Sequence, residues 1–218
     1  MKAVVAGGTG LTGGFLLQAL ENNGRYTEVN AIARRIPDEK FEKVKWTVLD
    51  LNDPKALNEA CKGADVAFCA LGTTIKTAGS KEAFRKVDFG YVKAFAEAAR
   101  ECGVRQFHTV SAIGASADSS VFYSKVKGEA EEALRNIGFD TLGIYQPSFL
   151  KGPRSESRLG EKIGGAVMNL LSPLMLGGLS VYKPVHVNTL AKAMAAAALD
   201  NESGVRVYTF ADMKRLAE

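Results

Sequence analysis

The stretch from Ala3 to Gly13 constrains the fold more than any other part of the chain. Ala3-Val4-Val5-Ala6 is a short, wholly apolar run, the pattern of a parallel strand covered on both faces. It passes directly into Gly7-Gly8-Thr9-Gly10-Leu11-Thr12-Gly13, after which Leu11, Phe15, Leu16, Ala19 and Leu20 follow helical spacing as far as Gly24. A strand that turns into a helix through glycines leaves unpaired N–H groups and the positive end of the helix dipole at the turn. Glycine is required there because a tight turn, a close ligand approach and tight helix-on-strand packing each exclude a Cβ. The spacing is that of a dinucleotide site, with Gly7, Thr9, Gly10, Leu11, Thr12 and Gly13 around the pyrophosphate.

The same alternation continues downstream. Strands are expected at Val29–Ala33, Val44–Leu49, Val66–Leu71, Gln106–Ser111 and Leu142–Tyr145. Helices are expected at Lys81–Cys102, where Phe84, Val87, Tyr91, Phe95, Ala98 and Cys102 form one stripe, and at Val121–Ile137 and Asn188–Leu199. Strands alternating with helices predict an α/β fold of the Rossmann type, a doubly wound parallel sheet covered on both sides. Regularity stops near Pro147, so residues 150–184 read as a small irregular insert over the substrate side of a single domain spanning 1–218. No internal repeat or linker divides the chain.

With 46% hydrophobic and 24% charged residues, the composition is that of a globular protein. A net charge of +4 with intermixed signs gives no nucleic-acid footprint. Cys61, Cys69 and Cys102 show no metal-like spacing, so no metal site is expected. Unpaired thiols and the absence of a signal peptide make a cytoplasmic setting the expectation. Residues 163–182 carry no charge, but glycines, Asn169, Ser172 and Pro173 interrupt the apolar run. A buried lid, a homodimer or partner surface, or a membrane-surface contact suits this segment better than an integral span.

About 20 residues after the glycine loop, where an acidic side chain would accept from a ribose 2′-hydroxyl, stand Arg34 and Arg35. Guanidinium groups hold a 2′-phosphate by charge-assisted bonds, so NADP is expected over NAD. Asp50-Leu51 follows the third strand, where Asp50 either accepts from the adenine amino group or caps a turn. Tyr123 and Lys127 lie four apart on one helix face. A neighbouring ammonium favours the phenolate, which suits Tyr123 to exchange a proton with a substrate oxygen. Ser111, ending a strand, is placed to hydrogen-bond the same oxygen.

On these residues the chain resembles the short-chain dehydrogenase/reductase superfamily, and within it the atypical Tat-interactive-protein-like subgroup. The resemblance runs through Ala70-Leu71-Gly72-Thr73-Thr74, Val87-Asp88, Tyr91-Val92, Ser111, Tyr123 to Glu129, Gln146-Pro147 and Arg154 to Arg158. It implies Tyr123 as general acid/base, Lys127 as ribose binder and modifier of the tyrosine, and Ser111 as carbonyl orienter. It also implies that Leu71 and Gly72 flank the cofactor. Pro147 is a further candidate cofactor contact and Thr73 a candidate substrate contact, while Arg154 and Arg158, in the irregular insert, are candidates to hold an anionic substrate group or a cofactor phosphate. Two positions depart from the pattern: Asp88 stands where relatives often carry Asn, and Gln146 where many carry Arg.

His108 is expected in or beside the sheet and His186 as a local cap, while Trp46, Phe149, Met168 and Met175 read as packing residues. The functional expectation is an NADP-dependent oxidoreductase acting on a carbonyl or alcohol. The alternative is a non-catalytic NADP-binding redox sensor that binds a protein partner.

Overall fold

A computed structural model describes residues 1–153, 181–200 and 202–218. Its centre is a seven-stranded sheet: β1 (Lys2–Ala6), β2 (Glu28–Ala33), β3 (Val44–Val48), β4 (Val66–Cys69), β5 (Gln106–Val110), β6 (Thr141–Tyr145) and β9 (Gly204–Tyr208). The order is β3-β2-β1-β4-β5-β6-β9, and every pairing is parallel. Direction of growth reverses between β1 and β4, so a crevice opens beyond their C-terminal ends, where this class of sheet binds ligands.

Two core layers follow from the twofold alternation of strand side chains. Ala3 and Val5 of β1, with Val66 and Phe68 of β4, meet Leu16, Leu17, Leu20, Leu190 and Met194 on one face. These come from α1 (Leu11–Glu21) and α7 (Val187–Ala197), and α8 (Phe210–Ala217) adds Met213 to the same face. Val4, Ala6, Ala67 and Cys69 point the other way, onto Leu57, Phe95, Ala99 and Leu134. That layer is built by α2 (Pro54–Cys61), α5 (Val92–Glu101) and α6 (Phe122–Ile137), and two short helices, α3 (Ile75–Ala78) and α4 (Lys81–Arg85), lie between β4 and α5.

Three sequence expectations need correction. The helix expected over Lys81–Cys102 is broken into α4, a π-helical stretch at Lys86–Tyr91, and α5. A π-turn widens the ladder by one residue, a device frequent at functional sites, and here it carries the buried Asp88. The seventh strand and α8 were hidden by position: β9 is an edge strand whose first four residues are exposed, so it lacks a buried run. Its successor α8 begins at a Thr209–Asp212 capping box. Lastly, the expected insert is not wholly irregular, because β7 (Leu150–Lys151) pairs in parallel with β8 (Val185–His186). Arg154, Arg158, Met168, Met175 and most of the uncharged 163–182 segment lie outside the described residues. Among the described residues, no helix is long and apolar enough to cross a membrane.

Candidate functional site

The glycine loop caps the sheet at the β1–β4 switch. Gly7 has φ of +88°, and a Cβ on it would fall 2.6 Å from the carbonyl carbon of Ala70. At Gly13 a Cβ would fall 2.0 Å from the Gly7 oxygen, so neither position tolerates a side chain. The Gly10 N–H donates to Gly7 O at 3.0 Å, closing the turn. Gly10 also precedes α1 without offering a side-chain cap, which leaves the first N–H groups of the helix for an anion. A cavity of about 850 Å³ opens from this turn, with Thr9, Gly10, Leu11 and Thr12 on one wall. Leu71, Gly72 and Thr73 form its floor, and Ser111, Tyr123, Lys127 and Pro147 its far side. Trp46 and Phe149, expected as packing, also line it, since the glycine turn leaves a gap over Gly8 that the Trp46 ring closes.

The β2 side is more open. Arg34 and Arg35 are exposed just beyond β2, and it is Pro37 and Glu39 of the same loop that reach the cavity wall. The Asp50 carboxylate is taken by the Asn52 backbone N–H at 3.0 Å and side-chain amide at 2.7 Å, bonds that hold it below the ordinary carboxylate range. Leu51 lines a separate cavity of about 500 Å³ between α2 and α5. The cap of α2 is Asp53, which accepts from the Lys55 and Ala56 N–H groups.

On the far side, α6 places Tyr123, Lys127 and Glu131 four residues apart, hence along one stripe. Tyr123 is 37% exposed at the cavity and leans on the Phe84 ring, 5.6 Å away. Lys127 is buried, and its Nζ lies 2.7 Å from Asp88 Oδ1. Burial opposes its charge, but the Asp88 carboxylate and the Tyr123 oxygen outweigh this and hold Lys127 above its usual range. Asp88 Oδ2 accepts from the Thr73 N–H at 2.9 Å, so Asp88 ties the cavity floor to α6. Gly128 lets α6 press against the loop after β5: a Cβ there would sit 2.1 Å from the Ser116 carbonyl carbon.

Ser111, expected to orient a carbonyl, directs its hydroxyl to Glu131 Oε1 at 2.5 Å. Gln146 Nε2 donates to both oxygens of the same carboxylate, at 2.9 and 3.1 Å. Sequence reasoning missed Glu131, although its position one turn beyond Lys127 on the Tyr123 face was a readable signal. His108 sits inside β5, where burial pushes its pKa down to about 3, and its Nδ1 lies 3.1 Å from the Tyr145 hydroxyl. His186 caps α7 by accepting from the Asn188 N–H. Burial pushes the Cys69 thiol up to about 11, so it is no nucleophile beside the cavity. Among the described residues no three potential ligands cluster as a metal site.

A glycine turn at the switch point, a bare helix N-terminus and an opposing Tyr–Lys pair define a Rossmann-type dinucleotide-binding protein of the dehydrogenase/reductase class. The family model described as NAD(P)H-binding matches residues 7–168. The chain belongs to this NAD(P)H-binding family, within the atypical short-chain dehydrogenase/reductases. It is 34% identical to the protein "FMP52, mitochondrial" of Eremothecium gossypii, over 100% of this chain and 98% of the relative. It is also 34% identical to "FMP52, mitochondrial" of Candida albicans, covering 88% and 85% of the two chains. With the protein HTATIP2 of Rattus norvegicus, identity is 34% over 87% of this chain and 78% of that one. Among solved structures, MoeE5 in complex with UDP-glucose and NAD superimposes with a TM-score of 0.69 at 18% identity, over 96% of this chain and 76% of that one. The likeness is one of fold. The cytoplasmic expectation is corrected by the two FMP52 relatives, whose names place them in mitochondria. The three thiols misled because unpaired cysteines mark a reducing setting rather than a particular compartment.

Proposed function

We propose that this protein is an NADP-dependent oxidoreductase acting on a small-molecule carbonyl or the corresponding alcohol. The observation that carries the reading is the α6 stripe, which sets Tyr123 at the cavity with Lys127 one turn behind it, facing the glycine loop. The fit to a dinucleotide rests on the two glycines that a Cβ would block and on the uncapped α1 N-terminus. Gly7, Gly10 and Gly13 shape the pyrophosphate cradle, and Leu71, Gly72 and Pro147 flank the inner end of the cavity. The nicotinamide, when bound, supplies or accepts hydride. Tyr123 then gives or takes the proton at the substrate oxygen, and Lys127 meets the ribose.

Preference for NADP is supported by Arg34 and Arg35, which stand exposed beyond β2 where the ribose 2′ position falls in this fold. Thr73, on the cavity floor, is the described residue proposed to touch substrate; Arg154 and Arg158 are proposed beside it on sequence grounds alone. The test is Tyr123→Phe, which should lower turnover by about two to four orders of magnitude while leaving NADPH affinity nearly unchanged. Turnover equal to the parent's would sink the assignment. One observation favours the sensor alternative: Asp88 engages the Lys127 ammonium, which a catalytic lysine would direct to ribose. Tight NADPH binding without consumption across a broad carbonyl panel would select it.

A further inference from the structure

The second buried carboxylate beside the cavity, Glu131, is unused by the chemistry above. It is only 6% exposed, and donors converge on it: the Ser111 hydroxyl, the Gln146 amide and, at 3.9 Å, the Arg135 guanidinium. Each contact within hydrogen-bonding distance is a neutral donor, because Gln146 occupies the place where the resemblance leads one to expect Arg. A carboxylate is acceptor-only, and a serine hydroxyl has a single proton. With that proton given to Glu131, Ser111 can offer only lone pairs to the cavity that it lines.

We propose that Glu131 is a positioning residue that makes Ser111 a hydrogen-bond acceptor, so that the site holds the alcohol of its carbonyl/alcohol pair more tightly than the carbonyl. An alcohol oxygen can donate to Ser111 and accept from Tyr123. A carbonyl oxygen can only accept, and it would face the Ser111 lone pairs unpaired. The alcohol is therefore the better-held partner while Tyr123 donates to it; to be oxidised it must turn its O–H from Ser111 to Tyr123. This rests on the oxidoreductase reading and assigns the polarity of the same site.

The test is the ratio of affinities for cyclohexanol and cyclohexanone, measured by ligand-observed NMR on the full chain loaded with NADP. An unmade buried hydrogen bond costs on the order of a factor of ten in affinity, so the parent should favour the alcohol about tenfold. In Glu131→Gln the amide can donate to Ser111, releasing its proton for the ligand, and the preference should fall to about twofold or less. Ser111→Ala should erase the preference by a different route, which keeps the test open if the first variant folds poorly. A structural role alone would weaken both probes equally and leave the ratio unmoved. A parent that prefers the ketone, a ratio untouched by Glu131→Gln, or binding of neither probe overturns the proposal. Tyr123-dependent turnover with an unmoved ratio defeats this inference alone. A ratio that shifts as expected in a protein that never turns over NADP(H) defeats the oxidoreductase reading alone.

Discussion

The two ends of the cavity are built on different principles. At the α6 end the polar groups are buried or half-buried and already partnered: Lys127 with Asp88, Asp88 with Thr73, Ser111 and Gln146 with Glu131. At the β2 end Arg34 and Arg35 stand in solvent. Buried polar groups must be paired before any ligand arrives, because an unpaired one costs folding free energy. Solvated arginines carry no such obligation and can wait for a ligand. The α6 end is thus integral to the fold's stability, and the β2 end is almost separable from it.

Four further variants test that contrast. The largest effect on ligand binding is expected at Gly13, inside the glycine turn. Gly13→Ala drives a methyl into the Gly7 carbonyl and should weaken NADPH binding about a hundredfold or more, read by fluorescence titration. Asp88→Ala leaves the buried Lys127 charge unpaired and should cost about 3–5 kcal/mol in denaturant unfolding. A loss below about 1 kcal/mol would show that the α6 end is less committed to the fold than its burial implies.

Arg34→Ala with Arg35→Ala should weaken NADP binding about tenfold, leave NAD binding alone and leave the unfolding midpoint in place. Tighter binding of NAD than NADP by the parent would overturn the cofactor preference. Near neutral pH the smallest effect belongs to His108 in β5, and it grows on acidification. Its pKa, about 3 when folded against the ordinary histidine value of 6.5, means that the unfolded chain takes up a proton the folded chain refuses. Stability should therefore fall as pH drops through 6.5 toward 3, by about 1 kcal/mol over the first unit. His108→Gln should flatten that acid limb, and an unchanged limb would remove His108 as its cause.

Much of this contrast could be read in the sequence because its carriers are local. The glycine loop, the β–α alternation and the Tyr123/Lys127 spacing each lie within one or two turns of chain. What could not be read depends on distant partners. Asp88 meets Lys127 from another helix, through a π-turn that no hydrophobic stripe announces. Glu131 gains its meaning only when β5 and β6 bring Ser111 and Gln146 beside it. Trp46 does pack against the core, as its sequence context suggests, but the turn above it also leaves its ring on the cavity wall. The edge strand β9 escaped because solvent on its first four residues removes the apolar run by which inner strands are recognised.

The contact at Gly128 has a consequence for how such a site can diversify. Because a methyl on Gly128 would meet the Ser116 backbone, α6 and the loop after β5 are in close contact at that one point. Bulk added there would displace the helix carrying Tyr123 before it reshaped the cavity. Bulk is more readily varied on the opposite bank of the cavity, around Phe149, Leu150 and Pro153. A library confined to that bank would reshape the cavity without moving Tyr123, whereas substitutions at Gly128 would mostly report lost alignment of α6.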